Sequence, residues 1–345
     1  IGGGIAGLTA ALTASRAGAS VILLMKGRAG ASATGQAQGG IAAAIDSEHG
    51  DSPALHYHDT LNAGAGLCDP AAVDVLVKEG IDRVRELIEM GANFDQADGR
   101  YSLTIEGAHG KRRILHARDT TGREIEKTLG RRILAEGKVK IHDFTFGQDL
   151  LIAGGRCAGA LAIELKTGRE LLISAHATIL STGGLGQVFS HTTNPPFATG
   201  DGVAMAYRAG AEISDMEFTQ FHPTALVHVR ELEDIVALPR FLISEAVRGE
   251  GGILLNHAME RFMVGLHPQG ELAPRDIVSR AIFQEMKEAG TDHVFLSLRE
   301  IPADKIRNRF PHIYETCLSR GLDITRDLIP VAPACHYAMG GVRTD

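Results

Sequence analysis

An α/β fold with a smaller α+β segment inserted into it is predicted by three features of the sequence. Gly2, Gly4 and Gly7 stand at G-x-G-x-x-G spacing between strand-like Ile1 and a helix-forming run. Strand-like pieces between Val139 and Leu180 alternate with glycine turns in the manner of a β-meander. From about Met216 to Tyr337 the pattern shifts to short mixed elements, after which Ala338–Val342 reads as a strand returning to the first domain. The opening is therefore Rossmann-like and dinucleotide-binding. The expected domains are 1–215, an inserted capping domain at 216–337, and a return at 338–345.

The elements follow in order. The first helix runs through Thr9 to about Ala17 and stops near Gly18, and Val21–Leu24 is the next strand. In this βαβ start Gly2 permits the turn, Gly4 lets a pyrophosphate approach the backbone, and Gly7 permits close helix packing. The helix N-terminus, with Gly3, Ile5 and Ala6, offers amide donors and a partial positive charge. The acidic residue that often ends the second strand is absent, and Met25-Lys26 stands there. Lys26 is left two roles, contact with a phosphate or ribose, or plain solvation. The small-residue run Ala33-Thr34-Gly35-Gln36-Ala37-Gln38-Gly39-Gly40 leaves a flat ring room at the backbone, which suits an isoalloxazine.

Pro70–Met90 is a helix on the spacing of Val73, Leu76, Val77, Ile81, Val84, Leu87 and Ile88, and Gly91 stops it. Asp119–Ala135 is another helix. Strands are expected at Val139–Phe146, Gly159–Leu165, Glu170–Ser174 and Ala177–Leu180. Asp201 opens a helix over Val203–Arg208, either as its cap or facing a cofactor hydroxyl.

Composition narrows the function. With 35 basic against 42 acidic residues in 345, the net charge of −7 excludes the basic face of a nucleic-acid binder. No apolar run is long enough to span a bilayer, so a soluble, cytoplasmic protein is expected. Cys68, Cys157, Cys317 and Cys335 form no Cys-x-x-Cys pair; no metal site is expected, and a reducing compartment suits them. Cys335, although next to His336, is expected as a neutral packed thiol. The sequence starts at Ile1 inside a strand and stops at Asp345 without a helix stop, so both ends read as cut and a targeting peptide stays open.

Three Pro-bearing segments carry cationic groups: Gln220-Phe221-His222-Pro223-Thr224, Leu272-Ala273-Pro274-Arg275-Asp276 and Pro333-Ala334-Cys335-His336-Tyr337. Read as loops with a held backbone, they aim His222, Arg275 and His336, with Ser244, at the carboxylates of a small anion. Glu245 and Arg248 lie three apart and share a helix face, either as a proton relay with Arg275 or as a surface pair worth ~0.3–0.5 kcal/mol. Arginine is a reluctant base, its pKa exceeding ~12. Glu106 is the one carboxylate in a basic loop, either meeting a substrate ammonium or solvated and balanced by Lys111 and Arg112.

The glycine fingerprint, Ala37-Gln38-Gly39-Gly40-Ile41, Thr193-Asn194-Pro195, Thr199-Gly200-Asp201-Gly202 and Glu217–Thr224 together resemble the succinate dehydrogenase/fumarate reductase flavoprotein family, in family order along essentially the whole chain. The resemblance implies an FAD cofactor. The histidine that attaches FAD covalently in respiratory members falls at Ala33, so non-covalent FAD is implied. Ile105-Glu106-Gly107 followed by Arg112–Ala117 and Asp119 is similar to the branch that oxidises L-aspartate, where the glutamate faces the amino group. That implies oxidation of L-aspartate to iminoaspartate, with O2 or fumarate as acceptor. This is the first step of de novo NAD biosynthesis, and the product passes to quinolinate synthase.

It further implies that His222 and Ser244 bind one carboxylate and His336 the other. Arg275 would be the proton donor or acceptor, Glu245 and Arg248 its relay partners, and Gln220 would line the site. Ser244 stands where relatives have Thr, and Val229–Pro239 is longer than in some relatives, which bears on the lid near the site. The family's further substrate arginine, second flavin-contacting stretch and C-terminal helical domain would lie beyond Asp345, absent from this chain. Two alternatives stay open, a soluble fumarate reductase or succinate-oxidising flavoprotein, and an inactive flavin-binding fragment.

Overall fold

A computed structural model describes residues 1–46, 50–227 and 239–344. Of the long segment expected at Val229–Pro239, all but Pro239 lies outside the described residues. The chain forms two compact units, Ile1–Gln36 with Gly122–Gln220 and Cys335–Asp345, and Ala37–Thr121 with Phe221–Ala334.

In the first unit the glycine turn feeds the helix Ile5–Arg16. Gly7, Leu8, Ala11, Leu12 and Ser15 recur at helical spacing and form its buried face. Gly18, with φ 91, ends it in a conformation that glycine adopts without a Cβ penalty. Val21–Leu24 pairs in parallel with Val139–His142. The meander forms as Thr145–Ala153, Arg156–Glu164 and Arg169–Ser174, all antiparallel. Its first turn places Gly154 and Gly155 at φ 56 and 74, the pair of positive φ values that a tight two-residue hairpin requires.

Three expectations change here. Val139–Phe146 is not one strand: Val139–His142 pairs with Val21–Leu24, and Thr145–Ala153 is a separate strand that opens the meander. Ala177–Leu180 forms no strand among the described residues; Ile179 O accepts from Ile1 N and Ser181 N–H donates to Ile1 O, both at 2.7 Å. Asp201 is the first residue of the helix Asp201–Arg208 rather than its cap, which is Gly200 in the left-handed region. The return strand is Gly341–Val342, antiparallel to Ile213–Ser214.

In the second unit, helices Pro53–Ala63 and Pro70–Glu89 each start with proline at the first turn behind a capping side chain, Ser52 or Asp69. Val73, Val77, Val84 and Leu87 are buried, whereas Leu76 is 59% exposed. The apolar stripe is thus narrower than the sequence spacing suggested. A four-stranded sheet runs in the order Thr219–Leu226, Ile329–Ala338, Val294–Ser297, Ile253–Leu255. Its core joins Leu226, Ile243, Leu254, Leu296 and Val331 to Val278 and Ile282 of helix Arg275–Ala289 and to Phe310, Ile313 and Cys317.

That sheet corrects the reading of the Pro-bearing segments. His222 and His336 sit in strands, and only Arg275 follows a connecting segment, as the first residue of a helix whose N-cap is Pro274. Pro223 is tolerated because Thr219–Leu226 is an edge strand, where a missing N–H costs little.

Candidate active site and cofactor turn

In the first unit the turn is built so that side chains are kept out. A Cβ at Gly2, which has φ 117, would meet the Ser181 carbonyl, and one at Gly7 would meet the Gly2 carbonyl. Helix Ile5–Arg16 has no side-chain cap and no acid in its first turn. Ile5 N–H donates to Thr34 Oγ1 at 3.0 Å, tying the small-residue run to the turn, and Ser32 Oγ donates to Glu126 Oε1 at 3.1 Å. Lys26, left between phosphate contact and solvation, bonds Asp201 Oδ2 at 2.8 Å and Thr199 Oγ1 at 2.6 Å. Thr199 Oγ1 also donates to Asp201 Oδ1 at 2.7 Å, so the Asp201 carboxylate serves Lys26 and Thr199.

His336 and Gln220 lie in this unit as well. The Nδ1 of His336 is 2.8 Å from Thr193 Oγ1, and the Asn194 side-chain amide donates to its backbone carbonyl. Gln220 Nε2 donates to Tyr337 Oη at 3.3 Å. Cys335 is fully buried and burial pushes its thiol up, as expected of a packed cysteine.

The second unit brings together Glu106, Glu245, Arg248 and Arg275. Glu245 opens the short helix Glu245–Gly249, and Ser244 is its N-cap, accepting from Ala246 N–H at 3.3 Å. The alternative of a surface pair fails, because the Glu245 and Arg248 side chains are 3% and 0% exposed. Arg275 Nε donates to Glu245 Oε2 at 2.5 Å, Gly107 N–H donates to Oε1 at 2.5 Å, and Arg248 Nη2 lies 3.7 Å from Oε2. Burial alone would raise the Glu245 pKa, but Arg275 and Arg248 outweigh it and hold it at about 2. Arg248 Nη1 donates in turn to the Glu271 carbonyl.

Glu106 behaves oppositely. The residue is partly exposed, yet its Oε1 is sealed from solvent, has no hydrogen-bond partner among the described residues, and lies against Gly39. Burial, then the Glu245 charge, pushes its pKa up to about 7. A solvated glutamate balanced by Lys111 and Arg112 is thereby corrected. His222 is buried; its Nδ1 accepts the Thr224 N–H at 3.2 Å, so the neutral ring carries its proton on Nε2.

Sequence reasoning missed Asp51, Asp59 and Arg113. Arg113 is wholly buried, with Asp51 Oδ1 at 2.7 Å and Asp59 Oδ2 at 2.6 Å. Its adjacency to Arg112 suggested only a basic loop, and the partners lie 62 and 54 residues away with no spacing signal.

Residues 1–345 match the family model described as FAD binding domain. The chain belongs to that family. Its cofactor is FAD, and the turn fits it: glycines whose Cβ positions are closed, an uncapped helix start, and Ala33 with no group to attach a flavin. Among this FAD-binding chain's relatives, L-aspartate oxidase of Streptomyces coelicolor is 48% identical over 350 residues, covering all of this chain and 59% of that protein. L-aspartate oxidase of Nostoc is 46% identical, covering all of this chain and 59% of that protein. The chain thus spans about three fifths of these relatives' length.

Among solved structures, an E. coli quinol fumarate reductase FrdA variant is 33% identical with TM-score 0.91, over all of this chain and 60% of that one. Mycobacterium smegmatis Sdh1 in complex with UQ1 is 36% identical with TM-score 0.81, over all of this chain and 59% of that one. The fold is that of the succinate dehydrogenase/fumarate reductase flavoproteins. Among the described residues no helix is long and apolar enough to cross a membrane.

Proposed function

We propose that the parent protein oxidises L-aspartate to iminoaspartate with FAD, and that O2 or fumarate then accepts the electrons. The observation that carries this reading is the sealed, unpartnered Oε1 of Glu106. A buried carboxylate held near neutrality by burial and a like charge is stabilised by an incoming cation. An amino-acid ammonium supplies one, and succinate does not. The names of the relatives agree with this reading.

The residues take these parts. In the second unit His222, as an Nε2–H donor, and Ser244 receive one carboxylate, and Glu106 meets the ammonium. In the first unit His336 is the further carboxylate-binding donor that the family resemblance implies, and Gln220 lines its surroundings. Arg275 orients the substrate and moves a proton, with Glu245 held ionised beside it and Arg248 behind it. The ionised Glu245 favours the charged guanidinium, so Arg275 rests as the proton donor and any proton it gives up is readily regained. Gly2–Gly7 would hold the FAD pyrophosphate, Lys26 and Asp201 its ribose side, and Ala33–Gly40 its ring system. Bound there, FAD supplies the acceptor for the hydride that leaves the substrate. The same reading makes the protein cytoplasmic, the starting enzyme of NAD biosynthesis, and a supplier of quinolinate synthase.

The test is anaerobic mixing of the FAD-loaded full-length parent with L-aspartate or with succinate, following the flavin absorbance. Bleaching by aspartate alone supports the reading, and bleaching by succinate alone overturns it. Glu106→Gln is expected to damage aspartate turnover and spare fumarate reduction. Equal damage to both counts against amine recognition by Glu106.

A further inference from the structure

The loop that carries Glu106 is the tip of a hairpin. Thr104 and Ile114 exchange backbone hydrogen bonds at 3.0 and 3.2 Å and close it. Within the tip Ala108 sits at φ 64, a left-handed conformation that persists only when the surroundings hold it. Gly107 N–H, on one side of Ala108, is tied to Glu245. On the other side, Gly110 N–H donates to Asp59 Oδ2 of helix Pro53–Ala63 at 2.8 Å.

The same Asp59 oxygen accepts from Arg113 Nη1 at 2.6 Å, where the chain leaves the tip. Arg113 is itself fixed by Asp51, through Nε to Oδ2 at 3.0 Å and Nη2 to Oδ1 at 2.7 Å. Asp51 bonds the guanidinium and Ser52 N–H but shows no bond to the tip. Among the described residues, Asp59 joins the buried guanidinium to a backbone amide of the Glu106 loop.

We propose that Asp59 is a positioning residue for recognition of the substrate amino group: by tethering Gly110 it sets where the Glu106 carboxylate stands. This rests on the reading that Glu106 meets an ammonium. Asp59 is assigned no contact with substrate; its bonds are to Gly110 and Arg113. Its charge is dispensable, because Arg113 keeps a bidentate partner in Asp51. Its acceptor oxygen is not. An asparagine retains that oxygen, whereas an alanine removes it.

The experiment compares wild type, Asp59→Asn and Asp59→Ala in the FAD-loaded full-length parent. KM and kcat are measured with L-aspartate and, as a reference without an ammonium, with fumarate. Amide hydrogen exchange of the peptide containing Gly110 is followed without substrate, and thermal melts report the fold. Asp59→Ala is expected to raise KM for L-aspartate roughly tenfold, to move KM for fumarate less than about twofold, and to speed exchange at Gly110. Asp59→Asn is expected to restore aspartate KM to within about threefold of wild type.

Equal loss on both substrates overturns the proposal, and so does a lowered melt with an unchanged aspartate-to-fumarate ratio. An asparagine variant as damaged as the alanine one also overturns it, because the ion pair rather than the tether would then matter. A wild type that reduces fumarate but leaves aspartate untouched sinks the aspartate reading itself, and this proposal with it. The other failures leave that reading standing.

Discussion

The two units prepare for charge in opposite ways. In the first, the turn at Gly2–Gly7 works through backbone: side chains are excluded, the helix start is uncapped, and the ion pair Lys26–Asp201 keeps 29% and 22% of its side chains exposed. In the second, the work is done by side chains almost cut off from water, with Glu245 at 3% and Arg248 at 0%. Backbone dipoles that face an anion cost less to take from water than full charges do, and at this turn what they exclude is a Cβ. Buried ions must be matched one against another, so each is stable only while its partner is present.

The contrast predicts unequal consequences of single changes. Glu245→Gln leaves the guanidiniums of Arg248 and Arg275 without their shared anion and should cost about 3–5 kcal/mol of stability, read from urea titrations. A loss below ~1 kcal/mol, as at a surface pair, would break the comparison.

The second test uses pH. The Glu245 pKa, depressed to about 2, contributes stability that is complete above the usual value of 4.5 and is lost as pH falls through 2. Glu106, raised to about 7, has the opposite sign. The folded state binds its proton more tightly than the unfolded state does, so stability falls as pH rises from 4.5 through 7. The Glu106 contribution to substrate-free stability should therefore decline across that window, on the order of 1.4 kcal/mol for each pH unit crossed, superimposed on the opposite slope of buried His56, lowered to about 4. Glu106→Gln should remove that decline. A variant with the same slope as wild type would place the titration elsewhere.

In the first unit, Gly7→Ala brings a methyl against the Gly2 carbonyl with no flexible side chain to yield, and should cost about 1–3 kcal/mol and release FAD. The flavin-to-protein absorbance ratio after gel filtration would show it. Lys26→Met should cost no more than ~1 kcal/mol, because water screens a partly exposed pair. A larger loss in the denaturation midpoint would mean that the first unit also depends on ion pairing.

Much of the first unit was legible because its signals are local. Glycine spacing, the stop at Gly18 and the turn at Thr167-Gly168 each act over a few residues, and helix Ile5–Arg16 and strands Arg156–Glu164 and Arg169–Ser174 stand close to where they were expected, whereas the meander's first strand, Thr145–Ala153, was read only at its start. Ala177–Leu180 failed because a strand needs a partner ladder, which local alternation cannot supply. Proline misled for a similar reason. It marks loops by default, and only strand order shows that Pro223 lies at a sheet edge. Leu76 fits the helical period but faces outward, since burial depends on what packs against the helix.

The sequence by itself determined the dinucleotide fingerprint, the family and the roll of candidate residues, because residue type and spacing suffice for those. Only tertiary structure decided their electrostatic state. Gly107 and Glu245 are 138 residues apart, and Gly110 and Asp59 are 51 apart. Whether a glutamate is solvated, paired or sealed depends on which distant groups the fold sets beside it. That placement is why Glu245 is held ionised while Glu106 is held near neutrality, although both are the same residue.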